Sequence, residues 1–266
     1  MSARINVNKL QEGLCTKRLA RSIFFRREIP STNDWAKELA AFGAGEGTVA
    51  IAETQTAGRG RLGRKWVSPK GGLWFSIILR PELTSSKAFT IIYAAGLAVV
   101  EALQQSCGLR AETKWSNDVL VRGRKVCGVL SETNVTGDRV NYLIAGIGIN
   151  VNFDAQKVFP DELGRSATSL MNELGRKVPL EELFRALLEK LESTYEELLS
   201  EGFELILGRW KEHAGFLGRK VEVTTETGKL QGIALDVDSE GALLVRLEDG
   251  KVTRVFVGDV AVRTEQ

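Results

Sequence analysis

Short apolar runs in the first 152 residues predict the strands of one large sheet. Six stretches have this pattern: 23–29, 49–52, 73–79, 112–121, 125–133 and 142–152. The last three follow one another across glycine-bearing turns at 122–124 and 136–138, so we expect them to be antiparallel neighbours. The pattern predicts a mixed, largely antiparallel sheet.

Four segments have apolar residues at the three- and four-residue spacing of helices that cover a sheet: the segment before Gly43, 87–105, 179–200 and 203–210. In the first of them, Trp35, Leu39 and Phe42 share one face. Ser31 and Asp34 have the spacing of a capping box. The Ser31 hydroxyl therefore either caps this helix or lines a pocket at its N-terminus.

From Arg219 onward the pattern changes to short strands separated by glycine turns: 221–223, 230–237, 242–247, 252–257 and 260–262. This pattern predicts a small β-barrel, with the boundary between it and the preceding domain near Gly218. We therefore predict two domains, an α/β (α+β) domain at 1–217, whose mixed sheet is backed by helices, and a β-barrel at 218–266.

Composition limits the possible functions. Lys and Arg number 36 against 34 Asp and Glu, a net charge of +2, which excludes the general basic field of a non-specific nucleic-acid binder. Cys15, Cys107 and Cys127 are widely spaced, which argues against a disulfide framework or a zinc cluster and favours the cytoplasm. Residues 1–20 lack the apolar core of a signal peptide, and the apolar run 91–100 is too short to span a bilayer, so we expect no membrane association.

The stretch 53–66 joins the second and third predicted strands and carries the strongest chemical signal. Four cations lie between Arg59 and Lys65, interleaved with glycines. Glycine can adopt positive φ, so the backbone can fold its amides and the guanidinium groups around an anion. The pattern predicts a phosphate-binding loop tethered to a sheet at both ends; the alternative is a solvated basic loop without a ligand.

Three other motifs fit this stretch less well. Gly58-x-Gly60-x-x-Gly63 matches the dinucleotide fingerprint, but that motif opens a helix, and here a turn-rich run into a strand follows. A kinase glycine loop requires a His-Arg-Asp catalytic loop, and His213 is the sole histidine. Arginine-glycine segments that bind nucleic acids are usually repetitive, whereas this one occurs once.

Residues further along could complete a site. Lys114 and Asp118 place one cation and one carboxylate in a polar turn, which suits a phosphate with its metal. Lys125 begins an otherwise apolar strand, either as a solvated edge residue or as a compact charge for an acyl-phosphate transition state. Three glycines lie inside strand patterns, where glycine often marks close approach by a ligand or another backbone: Gly128, Gly146 and Gly148.

Five segments in this order resemble biotin protein ligases, the BirA-type biotin–[acetyl-CoA-carboxylase] ligases: 30–33, 55–66, 114–118, 124–128 and 146–150. The resemblance covers about residues 22–266. It implies a class II synthetase-like biotin/lipoate ligase domain followed by an SH3-like β-barrel. It also implies that biotin and MgATP form biotinyl-5′-AMP, which a lysine of an apo biotin carboxyl carrier domain then attacks. A homodimer is implied by analogy.

The resemblance assigns roles to individual residues. Biotin-binding positions are Ser31, Thr32, Asn33, Gln55, Arg59, Gly60, Arg61, Lys125, Gly128, Gly146 and Gly148. Nucleotide-binding positions are Gly58, Arg61, Arg64, Trp66, Lys114 and Asn150, with Asp118 near Mg²⁺. Lys125 and Arg61 are the expected catalytic residues: Lys125 contacts the biotin carboxylate and the α-phosphate, and Arg61 retains the reactive anhydride.

The chain departs from the family pattern at three points. Ser116 stands where many members have proline, and Leu62 replaces a common arginine. No helix-turn-helix pattern precedes residue 22, so we expect no specific DNA binding. Two alternatives remain open: a lipoate–protein ligase, which shares the fold and the adenylation chemistry, and a nucleic-acid-binding repressor that uses the basic loop.

Overall fold

The computed structural model describes residues 6–159 and 161–263. The helices of this part of the chain are α1 Val7–Gln11, α2 Thr32–Ala41, α3 Thr90–Cys107, α4 Ala155–Val158, α5 Asp161–Ser166, α6 Leu170–Leu174, α7 Leu180–Ser200 and α8 Phe203–Glu212. The strands are β1 Ile23–Ile29, β2 Val49–Gln55, β3 Leu73–Leu79, β4 Glu112–Lys114, β5 Asp118–Val121, β6 Arg124–Thr136, β7 Arg139–Ile149, β8 Lys220–Thr225, β9 Gly228–Val237, β10 Leu243–Leu247, β11 Val252–Val255 and β12 Asp259–Val262.

The larger sheet has the strand order β1-β2-β3-β7-β6-β5-β4. β1 pairs with β2 in parallel, and the other neighbouring pairs are antiparallel. The prediction of a mixed, largely antiparallel sheet is thus confirmed. The stretch 112–121, predicted as one strand running into a polar turn, forms two strands, β4 and β5, that pair across this turn.

Helices cover both faces of this sheet because successive strand residues point to opposite sides. Ala50 and Ala52 pack with α2, while Val49 and Ile51 face the core formed with α3 and α7. The prediction that Phe42 shares the buried face of the first helix is wrong. α2 ends at Ala41, and Phe42 is 90% exposed at its C-cap.

Helix α3 extends beyond the apolar run 91–100, which was judged too short to span a bilayer. By length and composition, the helical segment Ser85–Cys107 could cross a membrane, but 72% of its most apolar window is buried inside the protein. It packs against α7, α8 and the sheet. Its apolar character is therefore explained by its central position in the core.

The C-terminal residues form a five-stranded antiparallel sheet of order β11-β10-β9-β8-β12, the small β domain predicted from the sequence. Its strands lie between residues 220 and 262. The domain boundary predicted at 217/218 stays a prediction. The predicted outer limits of the two domains, residues 1 and 266, lie outside the described residues. Tyr93 Oη and Trp115 Nε1 both donate hydrogen bonds to the carbonyl of Gly241, at 2.9 and 3.0 Å. This turn of the β domain is therefore fixed to α3 and to the β4–β5 turn.

Gly241 makes this contact possible, because its φ is +75° and a Cβ there would lie 2.5 Å from Phe89 Cε2. We expect Gly241→Ala to lower the free energy of unfolding by about 2 kcal/mol, from backbone strain and the close contact. Gly250→Ala is the matched control: its φ is +85°, and no atom lies within 4 Å of a Cβ there. Equal losses in thermal unfolding would show that the contact with Phe89 adds nothing.

The N-terminal segment is held by a buried carboxylate of α7. Glu192, which is 6% exposed, accepts hydrogen bonds from the backbone N–H groups of Lys17, at 2.7 Å, and Arg18, at 2.9 Å. The N–H of Leu19 adds a longer bond of 3.4 Å. Helix α1 ends at Gln11, and the chain bends at residues 17–18 next to this carboxylate.

Candidate active site

A cavity of about 760 Å³ opens on the α2 face of the large sheet and extends to the C-terminal β domain. The N-terminal end of α2, the loop 59–67 and strands β4 to β7 supply most of its lining. The β domain adds Arg219, Thr224 and Asp259. Such a concave site, mostly apolar with a few polar groups, is typical of small-molecule binding.

The floor of the cavity contains three glycines on the paired strands β6 and β7. A Cβ at Gly146 would overlap the Asn33 amide, and one at Gly148 would lie 2.6 Å from Trp66 Nε1. At Gly128 a Cβ would lie 3.0 Å from the Trp66 ring. These glycines are needed because Asn33 and Trp66 lie directly against the sheet.

At one end of the cavity, polar side chains form a connected hydrogen-bond network. Gln55 Oε1 accepts from the backbone N–H and the hydroxyl of Thr32, at 2.8 and 3.1 Å. Ser76 Oγ lies 2.8 Å from Thr32 Oγ1 and 2.6 Å from Asn33 Oδ1, and its single proton can go to either. Ser31 lines the same end and also caps α2 by accepting from Asp34 N–H at 3.5 Å, so both alternatives for this hydroxyl hold.

Behind this network lies a cluster of charged side chains. Glu132 Oε2 accepts from Asn33 Nδ2 at 2.7 Å, and Glu132 Oε1 pairs with Lys37 Nζ at 2.5 Å. Arg59 Nη2 lies 2.5 Å from Asp34 Oδ1 and 3.2 Å from Glu132 Oε2. The cluster thus links α2, β6 and the loop 56–66, which carries Arg59.

The arginine-glycine loop 56–66 is a hairpin closed by backbone pairing between Arg59 and Lys65. A short 3₁₀ turn at Arg61–Gly63 forms its tip, so no helix follows the glycine motif and the dinucleotide fingerprint is excluded. Leu62 adopts φ +54° at this tip.

Two arginines of this loop contact neighbouring elements. Arg61 Nη1 donates to Ser116 Oγ and, at 3.2 Å, to Asn117 Oδ1. Arg64 forms an ion pair with Asp259 of β12. Burial lowers the pKa of Arg61, and Asp118 acts in the opposite direction; the guanidinium still keeps its charge at neutral pH. The loop therefore presents fixed positive charge to the cavity.

Beside Arg61, two lysines and one carboxylate face the cavity. Lys125 Nζ lies 2.6 Å from Asp118 Oδ1 and 5.0 Å from the centroid of the Trp66 ring, with 30% of the side chain exposed. Lys114 Nζ lies 4.0 Å from Asp118 Oδ2. Burial lowers the pKa of Lys114, which Asp118 partly counteracts. Lys125 is thus held next to a carboxylate at the cavity, and its role toward an acyl phosphate stays a prediction.

Two buried polar atoms of uncharged side chains near these charges lack a hydrogen-bond partner in the described part of the chain. They are Trp66 Nε1 and Asn150 Oδ1. Asn150 Nδ2 donates to the carbonyl of Thr168 at 2.9 Å, which leaves the amide oxygen of this cavity residue without a donor. Because an unsatisfied buried acceptor is costly, Asn150 Oδ1 is ready to accept from a ligand.

The structure brings together nearly all the site residues inferred from the sequence. The lining includes Ser31, Thr32, Asn33, Gln55, Arg59, Gly60, Arg61, Arg64, Trp66, Lys114, Asp118, Lys125, Gly128, Gly146, Gly148 and Asn150. Gly58 lies outside the lining, and a Cβ there would come 2.5 Å from the carbonyl oxygen of Trp66. Sequence reasoning missed Ser76, although a lone serine in an apolar strand was a visible signal. It also missed Glu132 and the β-domain residues, because only long-range packing brings them to this site.

Two family models match the chain. The model described as the biotin/lipoate A/B protein ligase family matches residues 25–150. The model described as the biotin protein ligase C terminal domain matches residues 216–263. Together they include both described sheets except for the first strand residues Ile23 and Phe24.

Curated relatives and solved structures agree with these matches. The bifunctional ligase/repressor BirA of Bacillus spizizenii is 36% identical over 97% of this chain and 79% of its own length. The biotin–[acetyl-CoA-carboxylase] ligase of Paracoccus denitrificans is 36% identical over 86% of this chain and 97% of its own. The structure of the biotin protein ligase from Aquifex aeolicus in complex with biotin and ATP superimposes with a TM-score of 0.78 at 30% identity, covering 92% of this chain and 100% of that one.

Proposed function

Because this chain belongs to the biotin/lipoate A/B protein ligase family, we propose that it activates biotin with ATP and transfers the biotinyl group to a lysine of a biotin carboxyl carrier domain. In the first step, a biotin carboxylate oxygen attacks the α-phosphorus, the bond to pyrophosphate breaks, and biotinyl-5′-AMP forms. In the second, the lysine amine attacks the acyl carbon, AMP leaves, and the amine loses a proton. Related ligases named for biotin, and one solved with biotin and ATP, support this assignment.

The observation that carries the proposal is that one cavity contains both a neutral polar network and a cluster of cations. Thr32, Asn33 and Gln55 lie at one end, while Lys125, Lys114 and Arg61 lie at the other. A cyclic urea offers one strong acceptor and two N–H donors that need partners once buried. A carboxylate and a triphosphate need positive charge, so the arrangement suits biotin and ATP side by side.

At the charged end, each group has a separate task. Lys125 neutralises the carboxylate and the α-phosphate as they approach one another, and Arg61 holds the acyl phosphate after pyrophosphate leaves. Lys114 and Arg64 contact the nucleotide phosphates. Asn150 Oδ1 accepts a hydrogen bond from the amine of the nucleobase, and the Trp66 ring stacks on the nucleobase. Asn150 Oδ1 and Trp66 Nε1 both lack hydrogen-bond partners in the described chain.

Magnesium fits this end of the cavity as an ion bound mainly through phosphate. No group of three His, Cys, Asp or Glu side chains suited to a metal occurs among the described residues. These residues therefore do not form a metal site made of protein ligands alone. Mg²⁺ commonly uses one or two carboxylates together with phosphate oxygens and water. Asp118 would be the protein ligand, and the ion would neutralise phosphate charge.

The loop 56–66 protects the anhydride from water until the carrier lysine arrives. It contacts α2, residues 116–117 and β12, and all three elements contribute residues to the cavity lining. We propose a cytoplasmic location, in keeping with the free thiols of Cys15, Cys107 and Cys127. A homodimer remains a prediction from family resemblance.

Pyrophosphate exchange tests the proposal directly. Protein with ATP and magnesium is given labelled pyrophosphate and either biotin or lipoate, and we expect label in ATP with biotin alone. Addition of an apo carrier domain should then give a biotinylated lysine detected by mass spectrometry. Exchange with lipoate alone would identify a lipoate ligase instead, and salt-dependent DNA binding without any exchange would favour a repressor.

A further inference from the structure

Asn33 has a fixed orientation, set by the groups on either side of its amide. An ionised carboxylate has no proton to donate, so the Asn33 atom 2.7 Å from Glu132 Oε2 must be the amide nitrogen. The Leu130 carbonyl, another acceptor, lies 3.4 Å from the same atom. Asn33 Oδ1 therefore points away from β6, toward the Ser76 hydroxyl at 2.6 Å.

Cations keep Glu132 in the form that imposes this orientation. Burial acts to raise the pKa of Glu132, but the hydrogen bonds from Lys37 and Asn33 and the charges of Lys37 and Arg59 together outweigh it, and the pKa is lowered. Lys37 lies four residues after Asn33 on α2, so the same helix supplies the amide and the cation. Arg59, from the loop, is a second cation against the carboxylate.

Glu132 does not touch the cavity itself. It lies behind Asn33, outside the set of described residues that line the cavity, whereas Asn33 is part of that lining. An amide oxygen has two acceptor sites, and Ser76 can occupy one of them. Because Asn33 is part of the cavity lining, the second site can accept from an N–H group of a ligand.

We infer that Glu132 is a positioning residue that fixes the Asn33 amide with its oxygen toward the ligand, so that the pocket selects a head group with an N–H at this point. The inference rests on the proposed function, since it concerns the head group of biotin. A glutamine at 132 could donate instead of accept, and Asn33 could then turn its NH₂ group toward the ligand. The pocket would lose its preference for a donor over an acceptor.

Two biotin analogues provide the test, each with one ureido N–H replaced by a ring oxygen to give a cyclic carbamate. Pyrophosphate exchange with biotin and with both analogues gives kcat and KM for wild type and for Glu132→Gln. Glu28→Gln is the matched control, because Glu28 is an exposed glutamate on β1. Glu132→Asp is the second variant, which keeps the acceptor-only carboxylate in case Glu132→Gln folds poorly.

We expect wild type and Glu28→Gln to prefer biotin to one of the analogues by at least about 10-fold in kcat/KM. In Glu132→Gln this preference should fall by about 10- to 100-fold, mainly through KM for biotin, with KM for ATP unchanged. Glu132→Asp should retain most of the preference. An unchanged preference in Glu132→Gln, or its loss in Glu132→Asp, would overturn the inference, whereas a wild type that shows no exchange with biotin would contradict the proposed function.

Discussion

Lys125→Ala is expected to slow biotin-dependent pyrophosphate exchange by about 10²- to 10³-fold, the typical cost of removing one preorganised group that stabilises transition-state charge. Lys125 Nζ lies 2.6 Å from Asp118 Oδ1. Without it, Lys114, at 4.0 Å, is the remaining ion-pair partner of Asp118 among the described residues, and the site becomes more negative where the carboxylate and the α-phosphate must meet. The variant should fold normally, because 30% of the Lys125 side chain is exposed.

The control for this experiment is Lys157→Ala, since the Lys157 side chain is 84% exposed and its partner is Asp154. This variant should match wild type in exchange rate and melting temperature. Lys125→Ala with exchange within about threefold of wild type would contradict the role given to this lysine. Circular dichroism of both variants separates a chemical defect from misfolding.

Glu192→Ala is expected to lower the free energy of unfolding by about 3–5 kcal/mol, the largest effect on stability that we expect from one substitution here. The variant leaves the N–H groups of Lys17, Arg18 and Leu19 without their acceptor. For a chain of this size the melting temperature should fall by about 6–15 °C. Differential scanning calorimetry measures this change.

Glu196→Ala is the matched control, because Glu196 lies one turn further along α7 and is exposed. It should change the free energy of unfolding by less than about 0.5 kcal/mol. Glu192→Gln, which keeps one acceptor oxygen, should lie between the two. Equal stability of Glu192→Ala and Glu196→Ala would mean that the N-terminal turn does not depend on this carboxylate.

The sheet and the long helices could be predicted because their signals are local. The amphipathic pattern predicted a helix at 179–200, and α7 spans Leu180–Ser200. Turn residues between apolar runs likewise located the β5–β6 and β6–β7 hairpins. By contrast, α4 to α6 were not predicted, since helices of 4–6 residues are too short to show a period.

The candidate site was only partly accessible to sequence reasoning. The loop, the lysines and the strand glycines carry unusual residue types at their own positions, and the structure brings them to one cavity. Asp259 and Glu132 meet the loop only through tertiary packing, 195 and 73 residues from the arginines they contact. No local pattern encodes such pairings.

The apolar core runs without interruption from the large sheet into the C-terminal β domain, joining Tyr93 and Trp210 to Val221 and Val245. A fragment cut near the predicted boundary would divide this core and remove the Gly241 carbonyl that accepts from Tyr93 Oη. The two domains match separate family models, but they are not independent units that could be exchanged between relatives. A hybrid would need both sides of this shared interior to come from the same parent.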